Sequence, residues 1–156
     1  MTRSSGPAQP LPAATKLDGS AVNLAAASGI RAAYTSNEIL VVDDDALVLR
    51  AVSAGLTRWG FSVVSSDDPL LALKMVETMP HRFAAVLTDL RMPAISGLEL
   101  ADRIRAVAPS MKILLHSGTL APGDAVGRVD AAFPKPTSIE EIARCLTTLL
   151  LTQPSA

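Results

Sequence analysis

Three aspartates stand in a row, Asp43, Asp44 and Asp45, directly after the apolar run Ile39-Leu40-Val41-Val42. Asp89 closes a second apolar run, Ser117 closes a third, and Lys135 follows a short fourth, between Pro134 and Pro136. Carboxylates gathered in one place repel one another, and one of them tends to stay protonated. A hard divalent cation removes that conflict. Mg²⁺ takes oxygen ligands in octahedral geometry, usually one or two carboxylates with waters and phosphate oxygens. The same cation neutralises charge on a phosphoryl group in transfer. An ammonium and a hydroxyl alongside suit the remaining phosphate oxygens. An acid pair, a third acid, a hydroxyl and a lysine thus make a site for forming an acyl phosphate on a carboxylate, with Mg²⁺ as cofactor, provided the fold brings them together.

The elements that must do so follow from periodicity. Ile39–Val42 reads as a buried strand with the acids at its carboxyl end. A helical pattern runs from about Ala46 to Trp59, with Val48, Val52, Leu56 and Trp59 on one face and Gly60 as its stop. Phe61 to Val64 is a second strand. Asp68-Pro69 opens a helix, with proline at the first helical position, running to about Met79. Phe83 to Thr88 is a third strand. Ser96 and Glu99 form a capping-box signature for a helix to about Val107, before Pro109. Lys112 to His116 and Ala131 to Phe133 are the fourth and fifth strands. Ser138 and Glu141 repeat the capping box and open a last helix, with Ile139, Ile142, Leu146, Leu149 and Leu150 as its buried side. Strands alternating with helices imply an α/β fold, a parallel sheet covered on both faces. Ligands of such sheets bind beyond the carboxyl ends of the strands, where the strand order switches. All the chemically notable residues fall at those ends.

Composition narrows the function. The chain has 156 residues, 49% of them hydrophobic, and a formal net charge of -1. With no basic excess or Lys/Arg cluster, a nucleic-acid surface is not expected. The single cysteine, Cys145, rules out an internal disulfide and reads as a small core hydrophobe. No apolar run approaches the ~20 residues of a membrane span, and Arg3 is not followed by a signal-like apolar core. The expectation is a cytoplasmic protein. Residues 1–36, rich in Ala, Ser, Pro and Gly, read as a disordered or weakly helical extension, with a weak helix at most from Ser20 to Tyr34. The domain then occupies residues 37–152, and 153–156 form a flexible end.

The segments ILVVDDD, VLTDLRMPAISGLEL, ILLHSG and FPKP, in this order, resemble the receiver domain of two-component response regulators, over about Glu38 to Leu151. The resemblance implies a flavodoxin-like, doubly wound sheet of order 2-1-3-4-5, as in single-domain chemotaxis regulators. It implies that Asp89 is phosphorylated, that Asp44 ligates Mg²⁺ directly and Asp43 largely through a water, and that Arg91 offers its main-chain carbonyl to the metal. By the same resemblance Ser117 bonds the phosphoryl group and Lys135 pairs with a phosphate oxygen. Pro136 follows a cis peptide bond, tolerable for proline, and Pro93 and Gly97 shape the loop after the acceptor. The implied partner is a histidine kinase or histidine phosphotransfer protein, and the expected role is that of a monomeric switch with no enzymatic activity or DNA-binding output of its own.

The sequence departs from that family in three places. The aromatic residue usual three positions before the lysine is Ala132; Phe133, one later, points to the other face of the strand. The segment from Ser117 to Lys135 is short and contains Pro122, Gly123 and Gly127, so the helix between the fourth and fifth strands is expected to be short or missing. No output domain is expected after Leu151. Plainer readings exist for single residues: Asp45 as a helix cap, Asp43 to Asp45 as a solvated acidic turn, Ser117 as a loop hydroxyl, Lys135, His81 and Arg91 as surface residues. His116 invites a catalytic role, but strand alternation turns it away from Ser117. Two rival functions remain. A haloacid-dehalogenase-type phosphatase would use Asp43 as nucleophile, but it needs a later acidic pair at a strand end, and only Glu140 and Glu141 follow, at a helix start. A pseudo-receiver would bind partners without taking phosphate; the missing aromatic favours it and the complete acid, hydroxyl and lysine set opposes it.

Overall fold

The computed structural model describes residues 38–121 and 123–152. The expected N-terminal extension, residues 153–156 and Pro122 lie outside them.

Five parallel strands form one sheet in the order β2-β1-β3-β4-β5. These are β1 (Glu38–Val42), β2 (Ser62–Ser66), β3 (Phe83–Thr88), β4 (Lys112–Ser117) and β5 (Ala131–Pro134). Strands β1 and β3 are buried almost end to end, as central strands of a sheet covered on both faces must be. Helices α1 (Ala46–Arg58) and α4 (Ile139–Leu151) cover one face, and α2 (Pro69–Thr78) and α3 (Gly97–Val107) the other. The pleat sorts the core accordingly. Ile39, Val41, Ala85, Leu87, Leu114 and Phe133 pack with Val52 and Leu56 of α1 and Ile142, Leu146 and Leu150 of α4. Leu40, Val42, Val86 and Ile113 pack with Ala72, Leu73 and Val76 of α2 and Leu100, Ala101 and Ile104 of α3.

Local chemistry sets the helix ends. Asp45 caps α1 through its side chain, which accepts from Leu47 N at 2.9 Å and Val48 N at 3.3 Å. Asp68 caps α2 in the same way, with Pro69 at its first position. Ser96 and Glu99 form a reciprocal capping box on α3. Ser138 accepts the Glu141 N–H at 3.2 Å to open α4, but no reciprocal bond from the Ser138 N–H to the Glu141 side chain is present among the described residues, so the capping box expected there is only half formed. After α1, Gly60 turns the chain at a φ of +90°. Where α1 crosses α4 the spacing is tight: a Cβ on Gly55 would lie 2.8 Å from the side chain of Ile139.

Both ends of β2 differ from the sequence expectation, whereas the β4–β5 connection follows it. Strand β2 starts one residue later and runs two further, because Val41 and Val42 pair with Ser65 and Ser66. Pairing with β1 sets its length, and the hydrophobic pattern does not. Phe61 falls before the strand, buried, with its N–H on Leu56 O. Between β4 and β5 no helix forms among the described residues; turns take its place, with Gly123 and Gly127 at φ of +99° and +75°. This segment lies on α3 through ion pairs. Arg128 pairs with Asp102, and Asp130 accepts from Arg105 and from Ile113 N. Ala125 and Val129 fill the space over Leu115 and Ala132 in a small third apolar cluster.

Candidate functional site: an acid cluster with a lysine at the sheet's carboxyl edge

The strand register brings the acids together. Val42 of β1 pairs with Thr88 of β3, and Asp89 N donates to Val42 O at 3.0 Å. Asp43 and Asp89, one residue on, therefore stand side by side where the strands end. One oxygen each from Asp43, Asp44 and Asp89 lie within 4.8 Å of one another. Lys135 reaches in from the end of β5, its Nζ 2.9 Å from Asp43 Oδ2 and 3.7 Å from Asp89 Oδ1. Its backbone N–H bonds to Ser117 O at 2.9 Å, which continues the sheet ladder, and the peptide bond from Lys135 to Pro136 is cis, as the family resemblance implied.

The acids differ in their surroundings. Asp43 is only 5% exposed, and both its oxygens are held, Oδ1 by Asp45 N at 2.9 Å and Oδ2 by Lys135. Asp44 is exposed at the rim of the cluster. Asp89 has Oδ1 fixed by Leu90 N at 2.7 Å, while Oδ2 has no donor among the described residues. With one donor already on each oxygen, the buried Asp43 carboxylate has lone pairs left for a water that could bridge to a metal, and the exposed Asp44 is open to direct ligation. The donor set fits a hard divalent cation, with oxygen ligands only and an ammonium beside them.

The loop after Asp89 is held by close backbone approach. Gly97 N donates to Leu90 O at 2.9 Å, and a Cβ on Gly97 would lie 2.0 Å from Asp89 O, so only glycine fits. Ile95 N closes a tight turn on Pro93 O at 2.9 Å, and Ala94 takes a φ of +70°. Thr88 Oγ1 donates to Asp89 O at 2.9 Å. Arg91, exposed, borders an open cleft with Asp44, Met92, Thr119 and Asp124.

Ser117 ends β4 as expected and is 2% exposed, but its hydroxyl is turned to its own loop: Thr119 N donates to Oγ at 3.3 Å. It makes no hydrogen bond to the acids. Asp45 is a cap, and Phe133 packs under α1 and α4, on the face opposite Ala132. Two residues of this site were not assigned to it from the sequence. Thr119 lies two positions after Ser117, and only that spacing hints at it. His116 is 8% exposed and on the same face as Asp43 and Asp89. Burial holds its imidazole below the usual histidine range; Lys135 pushes the same way, and Asp43 and Asp89 oppose.

A family model described as the response regulator receiver domain matches residues 39–144. Proteins named Response regulator MprA are similar to this chain. The one from Mycobacterium sp. (strain KMS) is 33% identical over 116 residues, 72% of this chain and 50% of that protein. The one from Mycobacterium tuberculosis (strain ATCC 25177 / H37Ra) is 33% identical over 119 residues, 74% of this chain and 51% of that protein. The chain thus spans about half the length of these curated relatives. Among solved structures, a response regulator receiver protein from Pseudomonas putida is similar at 28% identity and a TM-score of 0.65, over 73% of this chain and 98% of that one. The Vibrio cholerae chemotaxis protein CheY4 is similar at 25% identity and a TM-score of 0.65, over 74% of this chain and 99% of that one.

Proposed function

The chain belongs to the response regulator receiver domain family, and from that premise we propose that Asp89 accepts a phosphoryl group from a phosphohistidine of a kinase or phosphotransfer protein, in the cytoplasm. The observation that carries this is the state of Asp89: one oxygen is held by Leu90 N, and the other has no donor among the described residues, beside an acid pair and a lysine. That free oxygen forms the new bond to phosphorus as the bond from phosphorus to the histidine nitrogen breaks; the electron pair stays on the nitrogen, and the acceptor becomes an acyl phosphate. Asp44 would hold Mg²⁺ directly, Asp43 through water, Asp89 by its carboxylate, and Arg91 by its main-chain carbonyl. When bound, Mg²⁺ supplies charge neutralisation for the acids and the phosphoryl oxygens.

Lys135 moves its hydrogen bond from Asp43 toward a phosphoryl oxygen, a short displacement given its place between the two carboxylates. Ser117 turns its hydroxyl from Thr119 to another of those oxygens. The output is a change in protein–protein contacts. Asp43 is a poor candidate for the nucleophile of a phosphatase, because both its oxygens are committed and it is buried.

Asp89→Asn keeps the shape and removes the nucleophile. Incubation with a cognate kinase, Mg²⁺ and ATP is expected to add one phosphoryl mass to the wild-type protein, mapped to Asp89, and none to the folded variant. Labelling of the variant would move the acceptor to Asp43. Wild-type protein that takes no phosphate from any donor would favour a phosphate-independent binding module.

A further inference from the structure

His116 stands beside the acceptor. Thr88 of β3 pairs with Leu115 of β4, so one residue on, Asp89 and His116 are lateral neighbours. Alternation puts both on the face of α1 and α4, in series with Leu87 and Leu114. Asp43 continues the same face from Val41. His116 as a residue is more than nine-tenths buried, and its Nε2 is fully buried with no hydrogen-bond partner among the described residues. A small cavity is lined by His116, Asp43, Thr88 and Asp89 together with Val41, Val42, Val52 and Leu87. The room in it for the centre of a water molecule is about 10 Å³, the space of one water and no more. A buried water needs at least two polar partners. His116 Nε2 supplies one. Each carboxylate oxygen of Asp43 and Asp89 that already accepts one hydrogen bond has a second lone pair to offer.

We propose that His116 is a positioning residue of the acceptor site, its Nε2 fixing the Asp43 and Asp89 carboxylates from behind through one buried water. The proposal rests on the reading of Asp89 as the metal-assisted acceptor. An apolar side chain would fill this position with no orphaned nitrogen, so packing alone gives no reason for an imidazole here. From behind the sheet end, His116 restrains the side of the carboxylates opposite the phosphodonor. It therefore acts on the geometry of metal binding and does not touch the phosphoryl group. Partners of this kind, one step removed from a metal, set ligand orientation and govern affinity.

The test compares wild type, His116→Leu and His116→Gln, the last of which keeps a polar atom near the position of Nε2. Mg²⁺ affinity is read by calorimetry and stability by melting without metal. The leucine variant is expected to melt no lower than wild type yet bind Mg²⁺ about 10- to 100-fold more weakly, and the glutamine variant to recover most of that loss. A merely structural role would move melting and affinity together. Unchanged affinity in a folded His116→Leu, or no recovery in a folded His116→Gln, overturns the proposal. A second readout needs no metal: Asp89→Asn is expected to shift the His116 Nε2 resonance in a nitrogen-15 spectrum, and an unmoved resonance overturns the link. Wild-type protein that binds no Mg²⁺ overturns the acceptor reading instead, and the resonance then decides the His116 contact on its own.

Discussion

Asp43 and Lys135 show what single residues contribute and what they cost. The pair is mostly withdrawn from water, with Asp43 nearly closed off. Removing one partner of a buried pair is more damaging than the pair is stabilising, because the other charge is left alone. Lys135 is the one cation that the ion pairs of the described residues set against the acids of this cluster. A divalent cation would relieve the rest of their repulsion and so stabilise the fold by mass action, by about 2.7 kcal/mol when Mg²⁺ is about 100-fold above its dissociation constant. The wild-type melting temperature is therefore expected to rise with Mg²⁺. Asp44→Asn, which removes the exposed ligand and leaves the Asp43 pair intact, is expected to lose most of that rise. Equal melting curves with and without Mg²⁺ in wild-type protein would remove the metal from the site.

The element most exposed to substitution is the turn that joins β3 to α3. Its path is fixed where Gly97 meets the carbonyl of Asp89, with a Cβ-to-oxygen approach of 2.0 Å. Backbone cannot yield as a side chain does. Gly97→Ala is expected to cost about 1–3 kcal/mol and to displace the acceptor, so thermal stability and phosphorylation should fall together; a variant that melts and labels like wild type would show the turn to be slack. The start of α3 adds a pH dependence. Glu99 is held below the usual carboxylate range, first by the Ser96 backbone N–H and then by the Ser96 side chain. A depressed folded pKa contributes stability that is present above the unfolded pKa and lost as pH falls through the folded one. Glu99→Gln is therefore expected to flatten the acid side of the stability profile below about pH 4.3 and leave its neutral side nearly unchanged. Melting from neutral pH to pH 3 checks it, and parallel curves would argue against the capping charge.

At the scale of the molecule, the question is how far a phosphoryl group at Asp89 is felt. A switch needs contacts that differ between two states. On the face of β5 away from α1 and α4, Ala132 offers no aromatic ring to swing, and turns replace a helix between β4 and β5. Those turns are tied to α3 by Arg128 with Asp102 and by Arg105 with Asp130. Among the described residues few groups on this face can exchange partners, so its coupling to the acceptor is expected to be small. The beryllofluoride mimic is expected to alter mainly the loops after Asp89 and Ser117 and to leave the protein monomeric, with partners docking near those loops and α1. Sedimentation and amide exchange with and without the mimic test this. A dimer whose formation protects Ile139 to Leu150 would show that the face of α4 and β5 still responds.

The sequence by itself determined the order and type of the elements, their N-cap residues, though not whether the capping box at Ser138 and Glu141 closes, and the placement of Asp43, Asp44, Asp89, Ser117 and Lys135 at strand ends. Each of these follows from residues a few positions apart, where periodicity and capping act. It also foretold the missing helix between β4 and β5, since Gly123 and Gly127 are locally poor helix formers. Only the tertiary structure decided what depends on register between strands. The length of β2 follows from pairing with β1, against its own serine-rich pattern. The bond from Lys135 to Asp43 joins residues 92 apart. The hydroxyl of Ser117 is turned to Thr119. His116 was correctly read as turned away from Ser117, yet the same alternation turns it toward Asp89, because a strand shows which residues share its face and not which neighbour that face will meet.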